Sequence, residues 1–244
     1  MQSTKVFVLD GGNTHIKLGA FVGNQLVQTN RFQERASLVK YLSPEDMVVI
    51  ANVGELLLQQ DLIALGCQVY TVSNMNPLPF SNAYKTPNSL GIDRLCNIAA
   101  VHQQHPSRNI LVIDAGTCIK FDFIDALGTY HGGSISPGIS LRYHSLHDHT
   151  SQLPLLNPTS AWDVIGTNTE GSIHSGVMGS VKAEINWRIE EFNNRYEDLI
   201  IYLTGGDAHY FDLGQKNDIF VDENLTLKGI YALYLHQHSS DTLH

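Results

Sequence analysis

One pattern occurs twice in this chain. Residues 6–17 read VFVLDGGNTHIK and residues 110–120 read ILVIDAGTCIK. With a single gap, Asp10 aligns with Asp114, Gly12 with Gly116, Thr14 with Thr117, Ile16 with Ile119 and Lys17 with Lys120. A repeat at so long a period describes two similar halves rather than a solenoid. Each copy is a buried apolar strand that ends in an aspartate and a glycine turn, then resumes as a second strand. Chance readily gives a strand, an aspartate and a glycine turn. It less readily adds the threonine, the isoleucine and the lysine in step.

The material after each copy is also similar. Over 15–22, Ile16, Leu18, Ala20 and Val22 share one strand face, and Gly23-Asn24 turns into a third strand ending near Phe32. SLVKYL reads as a short helix, MVVIANV (47–53) as a buried strand, ELLLQQDLIALG as a helix closed by Gly66, and CQVYTVS as a further strand. The order βββαβαβ implies a mixed sheet flanked by helices. A proline-rich segment, NMNPLPFSNAYKTPNSLG, suits neither helix nor central strand. It leads into the helix DRLCNIAAVHQQ, with Leu95, Ile98, Ala99 and His102 at helical spacing. In the second half a third strand, TYHGGSIS, precedes helical material and a helix from Thr169 to Asn194. The strand DLIIYLTGG, a short strand IFV and the helix NLTLKGIYALYLHQ complete it. The expected domains are residues 1–107 and 108–244.

Composition narrows the function classes. The 244 residues carry a formal charge of -9 and no basic block, which argues against nucleic-acid and membrane-surface partners. An anionic substrate would need cations gathered locally. The apolar run before Asp10 is too short for a signal-peptide core, and no stretch approaches a membrane span. Cys67, Cys96 and Cys118 are far apart and odd in number, which gives no disulfide framework or zinc spacing. The expected location is the reducing cytoplasm. His144, His147 and His149 crowd YHSLHDHTSQLP, where a polar helix face or loop is favoured over a metal site.

Two hairpins of this kind, facing each other across a cleft, suit a nucleotide triphosphate. Glycine lets another group approach the backbone closely, and such turns form anion-binding concavities. The carboxylates suit Mg²⁺, which takes one or two of them together with phosphate oxygens. YLTGGDA (202–208) adds a glycine turn able to admit a flat base and sugar. Asp and Gly also favour turns without any ligand, but the duplication and the third glycine turn point to phosphate binding.

The pattern resembles the actin, sugar kinase and Hsp70 superfamily, and within it the type III pantothenate kinases. DGGNTHIK is similar to that family's D-x-G-N-T-x-x-K, LGIDR (90–94) to its L-G-x-D-R, and DAGT (114–117) to its second D-x-G-T. GGSISPG (132–138) is similar to its G-G-x-I-x-P-G and TGGDA to its T-G-G-x-A. The resemblance implies an α/β fold of two ribonuclease H-like, actin-like halves with a cleft between them. It implies ATP-dependent phosphorylation of the terminal hydroxyl of pantothenate, with Mg²⁺ and a monovalent cation, K⁺ or NH₄⁺, in a homodimer. Alternatives are a catalytically silent ATP-binding regulator of gene expression, or another small-molecule kinase of the superfamily.

Residue by residue, the resemblance assigns Asp93 as the base. Tyr84, Gly91, Ile92, Asp93, Arg94 and Thr169 would contact pantothenate. Asp10, Gly11, Gly12, Asn13, Thr14, His15, Ile16, Lys17 and Thr117 would contact ATP. Asp10 would meet Mg²⁺ through the phosphates, and Asp114 would hold the monovalent cation. Other roles suit several of these side chains. Asp93 can serve the helix dipole, Arg94 a surface ion pair, and Thr169 a helix N-cap. Lys120 stands where the family usually has threonine. The alternation of strand faces sends it either toward the triphosphate or to water.

Overall fold

The computed structural model describes residues 5–11, 15–51, 56–211 and 219–241. Residues 1–106 together with 224–244 form one compact unit, and residues 107–223 form another.

The first unit is built on β1 (Lys5–Gly11), β2 (Ile16–Val22) and β3 (Gln25–Phe32), an antiparallel meander. Gly23 takes the positive φ, 57°, that the β2–β3 turn needs. After α1 (Arg35–Tyr41), β4 (Met47–Ile50) lies parallel to β1. After α2 (Leu56–Leu65), β5 (Gln68–Thr71) lies parallel to β4, giving the order β3-β2-β1-β4-β5. Gly66, at φ 97°, closes α2 in the left-handed conformation that glycine permits. One sheet face sends Phe7, Leu9, Ile16, Leu18 and Ala20 into a core with Leu38 and Leu42 of the α1 region and Leu58 and Leu62 of α2. The proline-rich segment contributes only the two-residue β6 (Ser81–Asn82) and a single 3₁₀ turn, Pro87–Ser89.

The second unit repeats the plan. β7 (Ile110–Ala115), β8 (Cys118–Ile124) and β9 (Thr129–Pro137) are antiparallel neighbours. α4 (Ile139–Asp148) and the long α5 (Thr169–Arg195) follow. β10 (Ile200–Thr204) lies parallel to β7, and β11 (Ile219–Val221) parallel to β10. The strands contributed by residues 107–223 therefore run β11-β10-β7-β8-β9, the first unit's order with every sense of pairing retained. Ile119 and Phe121 of β8, Leu111 and Ile113 of β7, and Val177, Val181 and Ile185 of α5 share its core.

The closing helix, α6 (Leu225–Asp241), corrects the expected boundary. The sequence reading placed all of 108–244 in the second half, but α6 belongs to the first unit. Leu225, Leu227, Ile230, Tyr231, Leu233 and Tyr234 are all buried, so the helix needs cover on more than one side. It finds this cover on the sheet face opposite α1 and α2, and on the helix α3 (Ile92–Gln104). Tyr231 stacks on Phe21 at 4.2 Å between centroids and donates from its hydroxyl to the Gly23 carbonyl at 2.6 Å. Gly229 brings the two helix backbones together: a Cβ there would lie 1.8 Å from the Cys96 carbonyl oxygen. Among the described residues no helix is long and apolar enough to cross a membrane.

Candidate active site

In the first unit the candidate residues gather at the ends of β1 and α3. Asp10 and Lys17 are direct cross-strand partners in the β1–β2 pair, and both are half-buried. Gly11 is half-buried beside Asp10, His15 is exposed, and the Ile16 side chain is buried in the core. Gly12, Asn13 and Thr14, expected to contact ATP, lie outside the described residues.

α3 starts at Ile92, with Gly91 as an N-cap that offers no side-chain bond. Asp93 is the acid of its first turn. Its carboxylate folds back over Gly91 so closely that a Cβ there would lie 2.5 Å from Oδ1. That gives Gly91 a steric reason of its own. Arg94 is only 4% exposed, which removes it from the role of a surface ion pair. Its guanidinium carbon lies 5.6 Å from the centre of the Tyr84 ring, a cation–π arrangement. Tyr84 is held from the other side, where its backbone amide donates to Asn82 Oδ1 at 2.9 Å. The proline-rich segment and the start of α3 thus bring Tyr84 and Arg94 together.

Cys96, one turn beyond Asp93, was not singled out by sequence. Its thiol is fully buried and pushed well up, first by burial and then by the carboxylates of Asp10 and Asp93. That shared influence puts both acids in one electrostatic neighbourhood. The signal was available as the three-residue spacing from Asp93 on a helix.

In the second unit the β7–β8 turn is held by two glycines. The amide of Gly138 donates to the Thr117 carbonyl at 3.0 Å, and a Cβ on Gly138 would lie 2.0 Å from the Gly116 oxygen. Gly205, at φ 95°, presses on Ala115, where an added Cβ would lie 2.1 Å from the carbonyl oxygen. Asp207 donates from its amide to that same oxygen at 2.9 Å. Three of the recognised motifs therefore meet at one turn, which leaves the Thr117 side chain exposed. A Cβ on Gly206 would meet open space.

Asp114 and Lys120 are register partners, and Lys120 Nζ donates to Asp114 Oδ2 at 2.8 Å. The ammonium thus turns to a carboxylate on its own hairpin. It also bears on the monovalent cation expected at Asp114. One oxygen of that carboxylate, Oδ2, already accepts from a fixed unit charge, so a second cation there would lie beside a like charge. Thr169, expected to contact pantothenate, is exposed in the first turn of α5. It is not the N-cap: Asn168 is, accepting from the Gly171 amide at 2.7 Å. Of the clustered histidines, His144 lies 2.9 Å from the Ser140 carbonyl oxygen and His147 2.8 Å from that of Leu153. Among the described residues no group of three His, Cys, Asp or Glu converges on a metal position.

The model of the type III pantothenate kinase family matches residues 6–191. The chain belongs to the type III pantothenate kinase family. Curated relatives called type III pantothenate kinase agree over nearly their whole length. That of Flavobacterium psychrophilum is 38% identical over 239 residues, covering 95% of this chain and 99% of its own. That of Bacteroides fragilis is 38% identical over 230 residues, covering 91% and 94%. Among solved structures, a Campylobacter jejuni protein described as a conserved Baf family transcriptional activator superposes with TM-score 0.64 at 21% identity, covering 96% of this chain and 99% of its own. Component A of (R)-2-hydroxyglutaryl-CoA dehydratase from Acidaminococcus fermentans gives 0.53 at 14%, covering 98% and 100%. At such identities these two speak for the fold alone. For a type III pantothenate kinase, the hard oxygen of Asp10 at a strand end has the donor chemistry Mg²⁺ accepts beside phosphate oxygens.

Proposed function

We propose that this chain transfers the γ-phosphoryl group of ATP to the terminal hydroxyl of pantothenate, making 4′-phosphopantothenate at the entry to coenzyme A synthesis. The observation that carries the reading is the first turn of α3, where a half-buried Asp93 stands beside a buried Arg94 capped by Tyr84. A transfer of this kind asks the protein for positioning and charge stabilisation more than for covalent chemistry.

Asp93 accepts the hydroxyl proton as the alcohol oxygen attacks. Arg94, its plane steadied by the Tyr84 ring, offers paired N–H donors to the pantothenate carboxylate. Gly91 leaves room for the Asp93 carboxylate. Ile92 and Thr169 complete the pantothenate contacts. Lys17 supplies a point charge to the phosphates, and Thr117 a hydroxyl from a turn that needs no rearrangement. Mg²⁺, held by Asp10 and the phosphates, neutralises charge on the triphosphate when bound. The expected homodimer and cytoplasmic location accompany this reading. The monovalent cation does not, because Asp114 already holds the Lys120 ammonium.

The test is mass spectrometry of purified protein incubated with pantothenate, ATP and Mg²⁺. Phosphopantothenate is the expected product. ATP binding without any phosphopantothenate would instead favour a silent regulator, and phosphorylation of a sugar or acetate alone would favour another branch of the superfamily.

A further inference from the structure

The duplicated hairpins carry the same pair of residues at the same places. Asp10 faces Lys17 across β1 and β2, and Asp114 faces Lys120 across β7 and β8. In the second hairpin the pair is closed at 2.8 Å, with the Lys120 and Asp114 side chains only 21% and 15% exposed. The strand fixes the geometry. Ile119 and Phe121, on either side of Lys120, are each 1% exposed and point into the core, so Lys120 must leave by the other face. There its register partner is Asp114. The other oxygen of that carboxylate, Oδ1, lies toward Gly116, with 3.9 Å to the position a Cβ would take. A cation at Asp114 would therefore sit at the base of the turn that Gly138 and Gly205 hold.

A lysine terminus is an ammonium ion tied to the chain. It has the charge of K⁺ and donates to oxygen as free NH₄⁺ does. We propose that Lys120 is a built-in replacement for the monovalent cation that the family resemblance assigns to Asp114, so that this chain neither requires K⁺ or NH₄⁺ nor binds one at that carboxylate. This rests on the kinase reading for its consequence in turnover, but the occupancy of Asp114 stands apart from it. A free cation at the same site would bring a second positive charge against Lys120, in a partly buried place where water screens poorly. An aspartate left alone there would favour a free cation. The lysine thus decides between two ways of neutralising the same carboxylate.

Two measurements test this. The first follows phosphopantothenate formation in KCl, NH₄Cl and choline chloride at equal ionic strength. The wild-type rate is expected to agree within about twofold among the salts. Lys120→Thr and Lys120→Ala, the second in case the first does not fold, are expected to lose more than about tenfold in choline and to recover in KCl. The second soaks crystals with Tl⁺ as an anomalous stand-in for K⁺. No Tl⁺ is expected at Asp114 in the wild type, and Tl⁺ is expected there in the Lys120 variants. Stimulation of the wild type by K⁺ beyond about twofold, Tl⁺ at its Asp114, or Lys120 variants that K⁺ does not restore would each overturn the proposal. A wild type inactive in every salt would sink the kinase reading, while the Tl⁺ comparison would still decide who occupies Asp114.

Discussion

An acid in the first turn of a helix often does no more than complement the helix dipole. Asp93 does that and also folds back over a glycine beside a buried arginine, an arrangement the dipole does not need. Asp93→Asn keeps the shape and removes the proposed base. It should lower kcat by about 10²–10⁴-fold, with ATP affinity by calorimetry and the unfolding temperature little changed. Tyr84 meets Arg94 with its ring face, so on the proposed reading the ring should matter more than the hydroxyl. Tyr84→Phe should hold KM for pantothenate near the wild-type value, whereas Tyr84→Ala should raise it by roughly 2–30-fold, the range a cation–π contact of about 0.5–2 kcal/mol gives. If Lys17 serves the phosphates as proposed, Lys17→Ala should raise KM for ATP in any salt, because no free cation substitutes for it. These positions were legible in the sequence as residue types at fixed distances from glycines. The partner of Lys120 was not, because cross-strand register is set by the whole hairpin and not by the few residues around the lysine.

At the scale of elements, the glycines of the second unit divide into those that hold the β7–β8 turn and those that do not. A Cβ at Gly138 or Gly205 would collide with the backbone at Gly116 or Ala115, while one at Gly206 or Gly176 would meet open space. Gly138→Ala and Gly205→Ala should therefore destabilise by about 1–3 kcal/mol or more, the order seen when a packed site is overfilled, and should weaken ATP binding. Gly206→Ala should be mild. Gly176 is exposed within α5, so Gly176→Ala should stabilise by about 0.5–1 kcal/mol through helix propensity. Denaturant melts of the four variants would check the pattern. Asp207, beside this turn, has its carboxyl held above the usual range by burial, opposed by the charge of His209. The fold is then favoured while Asp207 is protonated, and that advantage is lost as pH rises through the raised value. Asp207→Asn should raise the unfolding temperature near neutral pH and have little effect well below the ordinary carboxyl range. The strands were legible because alternation and glycine turns are local signals. The expected start of α5 at Thr169 matches its first helical residue, but its cap is Asn168, and adjacent asparagine and threonine are both favoured N-cap types although asparagine is the better one.

For the whole molecule, duplication explains most of what was readable. Two units share one strand order, so each reading of the first half supported a reading of the second. What duplication could not reveal is the destination of α6. A helix with apolar residues on several faces is compatible with either sheet, and the sequence marks neither. The deciding contact is Gly229 against Cys96, which requires two particular backbones to touch. This makes residues 224–244 a structural part of the first unit. Each large apolar side chain that α6 buries contributes about 1.5–3 kcal/mol, and six of them are enough to match the usual stability of a domain, about 5–15 kcal/mol. A chain ending at Glu223 should therefore fail to fold cooperatively, which circular dichroism and proteolysis would show. If it folded and kept its activity, α6 would be an accessory instead.

The ion pair between Asp114 and Lys120 also sets what the second hairpin can sense. A free cation occupies its ligand according to its concentration outside the protein, so a site of that kind reports the salt around it. A charge attached by a side chain has an effective concentration fixed by the fold. On the proposed reading, Lys120 keeps the neutralisation of Asp114 the same whatever the potassium concentration around the protein, and turnover would not follow that concentration.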